Sequence, residues 1–259
     1  MKDQLKVTLV QSHLFWENPE ANRVHFSKLF EEIKEQTDLI ILPEMFTSGF
    51  TMNATVIAEA SNGPSVLWMI SEAKKNNAAI TGSLIIEEEG VYYNRLFFVQ
   101  PDGSIETYDK KHTFTLAGEH KIFKAGNSLK QIEYKGWKIR PLVCYDLRFP
   151  VWARNTDHYD IVLYVANWPE RRVAAWDALL KARAIENMAY CIGVNRTGLD
   201  GNGHQYTGHS AVYDVLGKHI STASFENEFI DTITLEKTHI EKNRKHLQFL
   251  NDADSFNLV

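Results

Sequence analysis

Lys138-Ile139-Arg140-Pro141-Leu142-Val143-Cys144, followed at once by Tyr145-Asp146-Leu147-Arg148-Phe149-Pro150, is the stretch on which the reading of this chain turns. The apolar run predicts a buried strand, and the polar residues after it predict a turn. A thiol at the C-terminal edge of such a strand stands where α/β proteins build active sites. A cysteine in an apolar run is by default an inert core residue. Other parts of the chain must therefore supply partners before Cys144 reads as a nucleophile.

The surrounding sequence repeats the pattern. Leu5 to Val10, Leu39 to Leu42 and Ile161 to Ala166 are short continuous apolar runs, the signature of strands covered on both faces. Between them, Pro19 to Gln36 carries Val24, Leu29, Phe30 and Ile33 near helical spacing. Gly63-Pro64 opens a second helix with Val66, Leu67, Ile70 and Ala73 on one face. Ala79 to Ile86 and Val91 to Val99 are expected to pair across Glu87-Glu88-Glu89-Gly90. Asp102-Gly103 and Lys135-Gly136 signal further hairpins. Arg172 to Asn187 reads as a helix, Cys191 to Asn195, Gly208 to Tyr213 and Phe225 to Leu235 as strands, and Thr238 to His246 as a last helix. Strands and helices alternate without a repeat or a Pro/Ser-rich linker, so residues 1–259 are read as one α/β domain.

Composition narrows the function classes. With 28 basic against 33 acidic residues and a formal net charge of −5, the chain suits neither nucleic acid nor an anionic membrane surface. Its two cysteines, Cys144 and Cys191, lack metal-knuckle or disulfide-framework spacing, which fits a reducing cytoplasm. The N-terminus carries no apolar signal core, and no apolar stretch is long enough to span a bilayer. Cys191 reads as a core thiol, and the histidines, among them His204 and His209, suggest no metal site.

Two stretches offer Cys144 its partners. Glu44, in Leu42-Pro43-Glu44-Met45-Phe46, also follows a strand end, and its apolar neighbours would desolvate it into a usable general base. The polar loop from Thr107 to Gly126 contains Lys110-Lys111-His112, and a cation there can favour thiolate or neutralise an oxyanion. Glu119 in the same loop can orient the lysine. His112 and His120 are read as ordering the loop.

Together these motifs resemble the carbon–nitrogen hydrolase (nitrilase) superfamily over nearly the whole chain. Glu44 after Leu-Pro, Lys110 two residues before His112, and Cys144 before Tyr-Asp-x-Arg-Phe-Pro stand in the order of its Glu-Lys-Cys triad. Asp109 and Thr113 depart from the usual Tyr-Arg-Lys-x-His-Leu loop, but the spacing to His112 selects Lys110 over Lys111. The resemblance implies a four-layer α-β-β-α sandwich that pairs into a homodimer, with Pro150–Asn155 and Arg172–Asn187 as candidate contacts. It implies Glu44 as base, Cys144 as nucleophile, Lys110 as oxyanion cation with the Tyr145 backbone N–H, and Glu119 as a positioning carboxylate. No metal or other cofactor is needed.

Ala166-Asn167-Trp168-Pro169, Trp176-Asp177 and Lys181 to Asn187 are similar to the omega-amidase branch. That similarity implies a substrate such as 2-oxoglutaramate or 2-oxosuccinamate, a small amide with a carboxylate, and a salvage role alongside transamination and methionine regeneration. Arg148 can capture that carboxylate bidentately, and Trp168 can wall the pocket. The alternatives are another aliphatic amidase, an N-carbamoyl amidase or a nitrilase using the same triad, and outside catalysis an anion-binding scaffold.

Overall fold

The computed structural model describes residues 3–222 and 226–256. The first strand, β1 (Gln4–Gln11), leads into α1 (Pro19–Glu31), capped by the Asn18 side chain on the Ala21 N–H. β2 (Leu39–Ile41) is followed by the short α2 (Ala54–Ile57) and by α3 (Pro64–Asn76), which ends on Asn77 in the left-handed region. Then come β3 (Ala79–Glu88), β4 (Val91–Val99) and β5 (Ile105–Asp109). Glu87 and Glu88 thus belong to β3, and the turn is Glu89-Gly90 alone, both residues with positive φ as a tight two-residue hairpin requires.

The second half begins with the hairpin β6 (Ile132–Tyr134) and β7 (Trp137–Val143), joined at Lys135-Gly136. α4 (Pro150–Ala153), β8 (Ile161–Ala166), α5 (Val173–Asn187) and β9 (Tyr190–Asn195) follow. The ribbon β10 (Thr197–Leu199) and β11 (Gln205–Thr207) had no sequence signal. β12 (Ala211–Tyr213), β13 (Phe229–Glu236) and α6 (Lys237–Leu247) complete the order. The strand expected from Gly208 starts at Ala211, and the one expected from Phe225 starts at Phe229; Phe225 lies outside the described residues.

The strands form a six-stranded sheet, β13-β1-β2-β3-β4-β5, and a five-stranded sheet, β12-β9-β8-β7-β6. Period-two alternation decides what each face covers. In the first sheet Val7, Leu9, Leu39, Ile41, Leu96 and Phe98 point at the second sheet and share one core cluster with Ile139, Val143 and Leu163. The alternate residues Val10, Ile40, Ile80, Phe97 and Val99 point away, onto Phe26 and Phe30 of α1 and Val66, Met69 and Ala73 of α3. On the far side, Trp176, Leu180 and Ala184 of α5 cover the second sheet. The result is the α-β-β-α sandwich.

Two helix positions depart from the periodicity reading. Val24 and Leu67 are exposed, and Phe26 and Met69 take the buried stripe instead, because each helix axis is set by its largest side chains against the sheet. α5 lies so close to β9 that a Cβ on Gly193 would stand 2.5 Å from Leu180 Cδ1, which explains glycine in that strand. α4 is shorter than expected, since Arg154 turns extended at ψ 134°. Among the described residues no helix is long and apolar enough to cross a membrane.

Candidate active site

Chain direction gathers the site. β2, β7 and β8 all end at the same edge of the sandwich, and Glu44, Cys144 and Asn167 stand just beyond those ends. Lys110 follows β5 directly, with its N–H on the Asn94 carbonyl at 3.0 Å. Glu119 comes from a short 3₁₀ turn, Glu119–Lys121.

Lys110 Nζ lies 2.9 Å from Glu44 Oε1 and 2.9 Å from both oxygens of Glu119. The three side chains are 0–1% exposed, so this is a buried ammonium between two carboxylates. Asn94 Nδ2 donates to Glu44 Oε1 at 2.8 Å and to Glu119 Oε1 at 3.2 Å, and the Phe114 N–H donates to Glu119 Oε2. Asn167 donates its backbone N–H to Glu44 Oε2 at 2.8 Å and its Nδ2 to the Glu44 carbonyl at 2.5 Å. Both Glu44 oxygens are therefore aimed.

Electrostatics follow from this packing. Burial by itself would lower the Lys110 pKa, but Glu119 and Glu44 outweigh it and keep the ammonium charged. Burial raises the Glu119 pKa; Lys110 opposes that and the Glu44 charge adds to it. The Cys144 thiol is pushed well above the ordinary range, first by burial and then by the Glu44 carboxylate, against which Lys110 acts. At neutral pH the group is a thiol that needs a base, and a carboxylate stands beside it.

Cys144 itself has φ +42°, and the turn Cys144–Arg148 starts on it. That conformation is costly for a residue with a Cβ, and it swings the side chain out of the strand into a cavity of about 540 Å³. Its sulfur donates toward the Asn167 carbonyl at 3.8 Å. Tyr145, Arg148 and Trp168 line the same cavity, with Lys110 at its base. The Arg148 guanidinium lies 4.8 Å from the centroid of the Trp168 ring. Cys191 is fully buried, on the face of the second sheet that α5 covers, as the core reading expects.

Sequence reasoning missed Asn94, Asn167 and Asp146. Asn167 carried one signal, a polar residue directly after an apolar strand, whereas Asn94 stands beside Arg95 within its strand and carried none. His112 is held by Asp146, through both its N–H and Nδ1, which fits the loop-ordering reading. His13, His25 and Glu228 also converge, with ligand atoms within 4.8 Å, a grouping that sequence spacing had not shown. They stand outside the cavity lining, and Glu228 already accepts from Ser12 and His13.

A thiol at a strand end beside a buried carboxylate–ammonium cluster, in an α-β-β-α sandwich, has the design of a hydrolase of amide carbon–nitrogen bonds. Residues 6–240 match the carbon–nitrogen hydrolase family, and the chain belongs to it. The chain is 46% identical to omega-amidase YafV of Escherichia coli K12, over 98% of each. It is 29% identical to 2-oxoglutaramate amidase of Bacillus subtilis, over 86% of this chain and 88% of that one. A CN-hydrolase superfamily protein of Xanthomonas campestris, solved with an arsenic adduct in its active site, superposes with TM-score 0.97 at 42% identity, covering 100% of both chains. The protein is an amidase of the nitrilase superfamily.

Proposed function

We propose that this amidase is of omega-amidase type and hydrolyses the terminal amide of short 2-oxo dicarboxylic acid monoamides such as 2-oxoglutaramate and 2-oxosuccinamate. The observation that carries the reading is a cavity lined by Cys144 and by Lys110, which Glu44 holds from behind the lining, with Arg148 against Trp168 in the same lining. The names of the relatives from Escherichia coli and Bacillus subtilis point the same way.

In this mechanism Glu44 takes the Cys144 proton as sulfur attacks the amide carbon. The oxyanion forms against Lys110 Nζ and the Tyr145 backbone N–H. The protonated Glu44 gives its proton to the departing ammonia, leaving a thioester on Cys144. Glu44 then takes a proton from water as the water oxygen attacks the thioester. Collapse expels the sulfur, which recovers the proton from Glu44, and the carboxylic acid leaves. Glu119 holds Lys110 through both of its oxygens. A thiol that must remain reduced suits the cytoplasm. Exposed Val151 on α4 and Ile185 on α5 support a homodimer through these helices.

Mass spectrometry of protein quenched during turnover of 2-oxoglutaramate tests nucleophile and substrate together. The expected result is an acyl mass on the Cys144 peptide alone. A parallel screen of simple aliphatic amides, N-carbamoyl amino acids and nitriles decides the branch. Turnover of one of these without 2-oxoglutaramate would overturn the omega-amidase reading.

A further inference from the structure

The cavity contains a second arginine, and its setting matches that of Arg148. Arg172 ends the 3₁₀ turn Glu170–Arg172 at the head of α5 and lines the cavity with Cys144. Its guanidinium lies 5.0 Å from the centroid of the Phe114 ring, as that of Arg148 lies 4.8 Å from Trp168. The two are tied together, because Trp168 Nε1 donates to the Arg172 carbonyl at 2.7 Å. A guanidinium resting on a ring face keeps its in-plane N–H edge free for a bidentate acceptor.

The other charges in the lining are engaged. Lys110 is held by Glu44 and Glu119. Asp200 accepts from the Tyr206 hydroxyl and from the N–H groups of Asn202 and His204. Glu17 accepts from Thr51 and Asn53. Among the described residues, neither Arg148 nor Arg172 gives a side-chain hydrogen bond or ion pair to a protein acceptor. The charge left open to a ligand is therefore two guanidinium groups.

We propose that Arg172 is a specificity-determining residue of this cavity: with Arg148 it forms a paired guanidinium anchor for a 2-oxo carboxylate and disfavours the corresponding 2-ammonio acid. The inference rests on the amidase reading of the same cavity. A 2-oxo acid presents carboxylate and keto oxygens as acceptors along one edge, which two N–H forks can cover. An ammonium at the same carbon would replace an acceptor by a like charge beside two cations. Selection against glutamine then comes from repulsion as much as from attraction for the oxo acid.

The test compares wild type, Arg172→Met and Arg172→Lys on 2-oxoglutaramate, glutamine and pentanamide, with exposed Arg171→Met as control. Loss of a charged bidentate contact predicts a fall of about 10- to 100-fold in kcat/KM for 2-oxoglutaramate in Arg172→Met, carried by KM. Pentanamide should change by less than about threefold, Arg172→Lys should recover part of the loss, and the preference over glutamine should narrow. A second arm needs no turnover: 2-oxoglutarate binding to the Cys144→Ala protein, by calorimetry, should weaken about tenfold or more when Arg172→Met is added. An unchanged dissociation constant, no binding of 2-oxoglutarate at all, or equal loss on pentanamide and 2-oxoglutaramate overturns the inference and leaves the amidase reading standing. Intact, Arg172-dependent binding in a wild-type protein that turns over no amide overturns the amidase reading instead.

Discussion

Asp146 Oδ2 accepts the backbone N–H of Val143 at 3.0 Å, gripping the last residue of the strand that delivers Cys144. The same oxygen takes the Tyr108 hydroxyl at 2.8 Å, and Oδ1 takes the His112 N–H at 3.0 Å and its Nδ1 at 2.7 Å. One fully buried carboxylate thus ties the thiol's turn to the segment on either side of Lys110. Its four donors make the backbone strain at Cys144 sustainable.

Asp146→Asn would set an NH₂ group against donors. We expect it to destabilise the fold by about 2–4 kcal/mol and to lower kcat/KM at least about 100-fold, through misplacement of Cys144 and Lys110 together. Tyr108→Phe removes one donor and also the acceptor of the Trp152 Nε1 and Lys111 N–H groups, and should cost about 1–3 kcal/mol. Urea denaturation and initial rates check both; wild-type rates in Asp146→Asn would remove the carboxylate from any role in positioning.

Lys110→Met leaves Glu44 and Glu119 buried without their cation. Breaking such a cluster is expected to cost about 3–5 kcal/mol at pH 7 and about 100- to 1000-fold in kcat. The stability deficit should shrink at pH 5. Without the ammonium, burial holds the Glu119 proton to higher pH than in the unfolded chain, so the folded state binds more protons and gains as pH falls. A deficit equal at both pH values would contradict this account.

Much of this site was legible before the structure, for a physical reason. Glu44 and Cys144 each end an apolar strand, and strand ends converge in parallel sheets, so a linear pattern carries spatial information. Lys110 was legible through its place before His112. Asp146 was not, although it sits two residues from Cys144, because its partners Tyr108 and His112 lie more than thirty residues away in sequence and no local period links them. Arg172 was hidden for the same cause: a basic pair before a helix looks like a solvated terminus until Phe114 is brought beneath it.

Gly126 gives a test through the backbone of Lys110. Its N–H donates to the Lys110 carbonyl at 2.9 Å, and a Cβ there would stand 2.1 Å from the Asp109 carbonyl oxygen. Gly126→Ala must therefore push the Lys110 segment away. We expect activity to fall about tenfold or more while the fold loses only about 1–3 kcal/mol, the ordinary cost of overpacking. Activity tracking stability alone, with kcat intact in the folded fraction, would separate Gly126 from the placement of Lys110.

The two thiols set a pH limit. Burial raises the pKa of Cys191, with Arg183 opposing, and burial with the Glu44 charge raises that of Cys144. In the unfolded chain both titrate near about 8.5. Above that pH the folded state keeps protons that the unfolded state releases, so stability is full below about pH 8.5 and falls as pH rises. Each retained proton contributes a slope of about 1.4 kcal/mol per pH unit. Urea denaturation between about pH 8 and 9 should show this fall while the tyrosines of the unfolded chain, with midpoints of about 10, are still mostly protonated. Cys191→Ala creates a small core cavity and lowers the curve everywhere, yet it should reduce the slope by a little under half, because one of the two thiols is gone and the buried tyrosines supply the remainder. Within the same window native protein should alkylate at Cys144, which opens on the cavity, and not at Cys191, which is 0% exposed. A slope unchanged by Cys191→Ala would place the alkaline limit elsewhere in the fold.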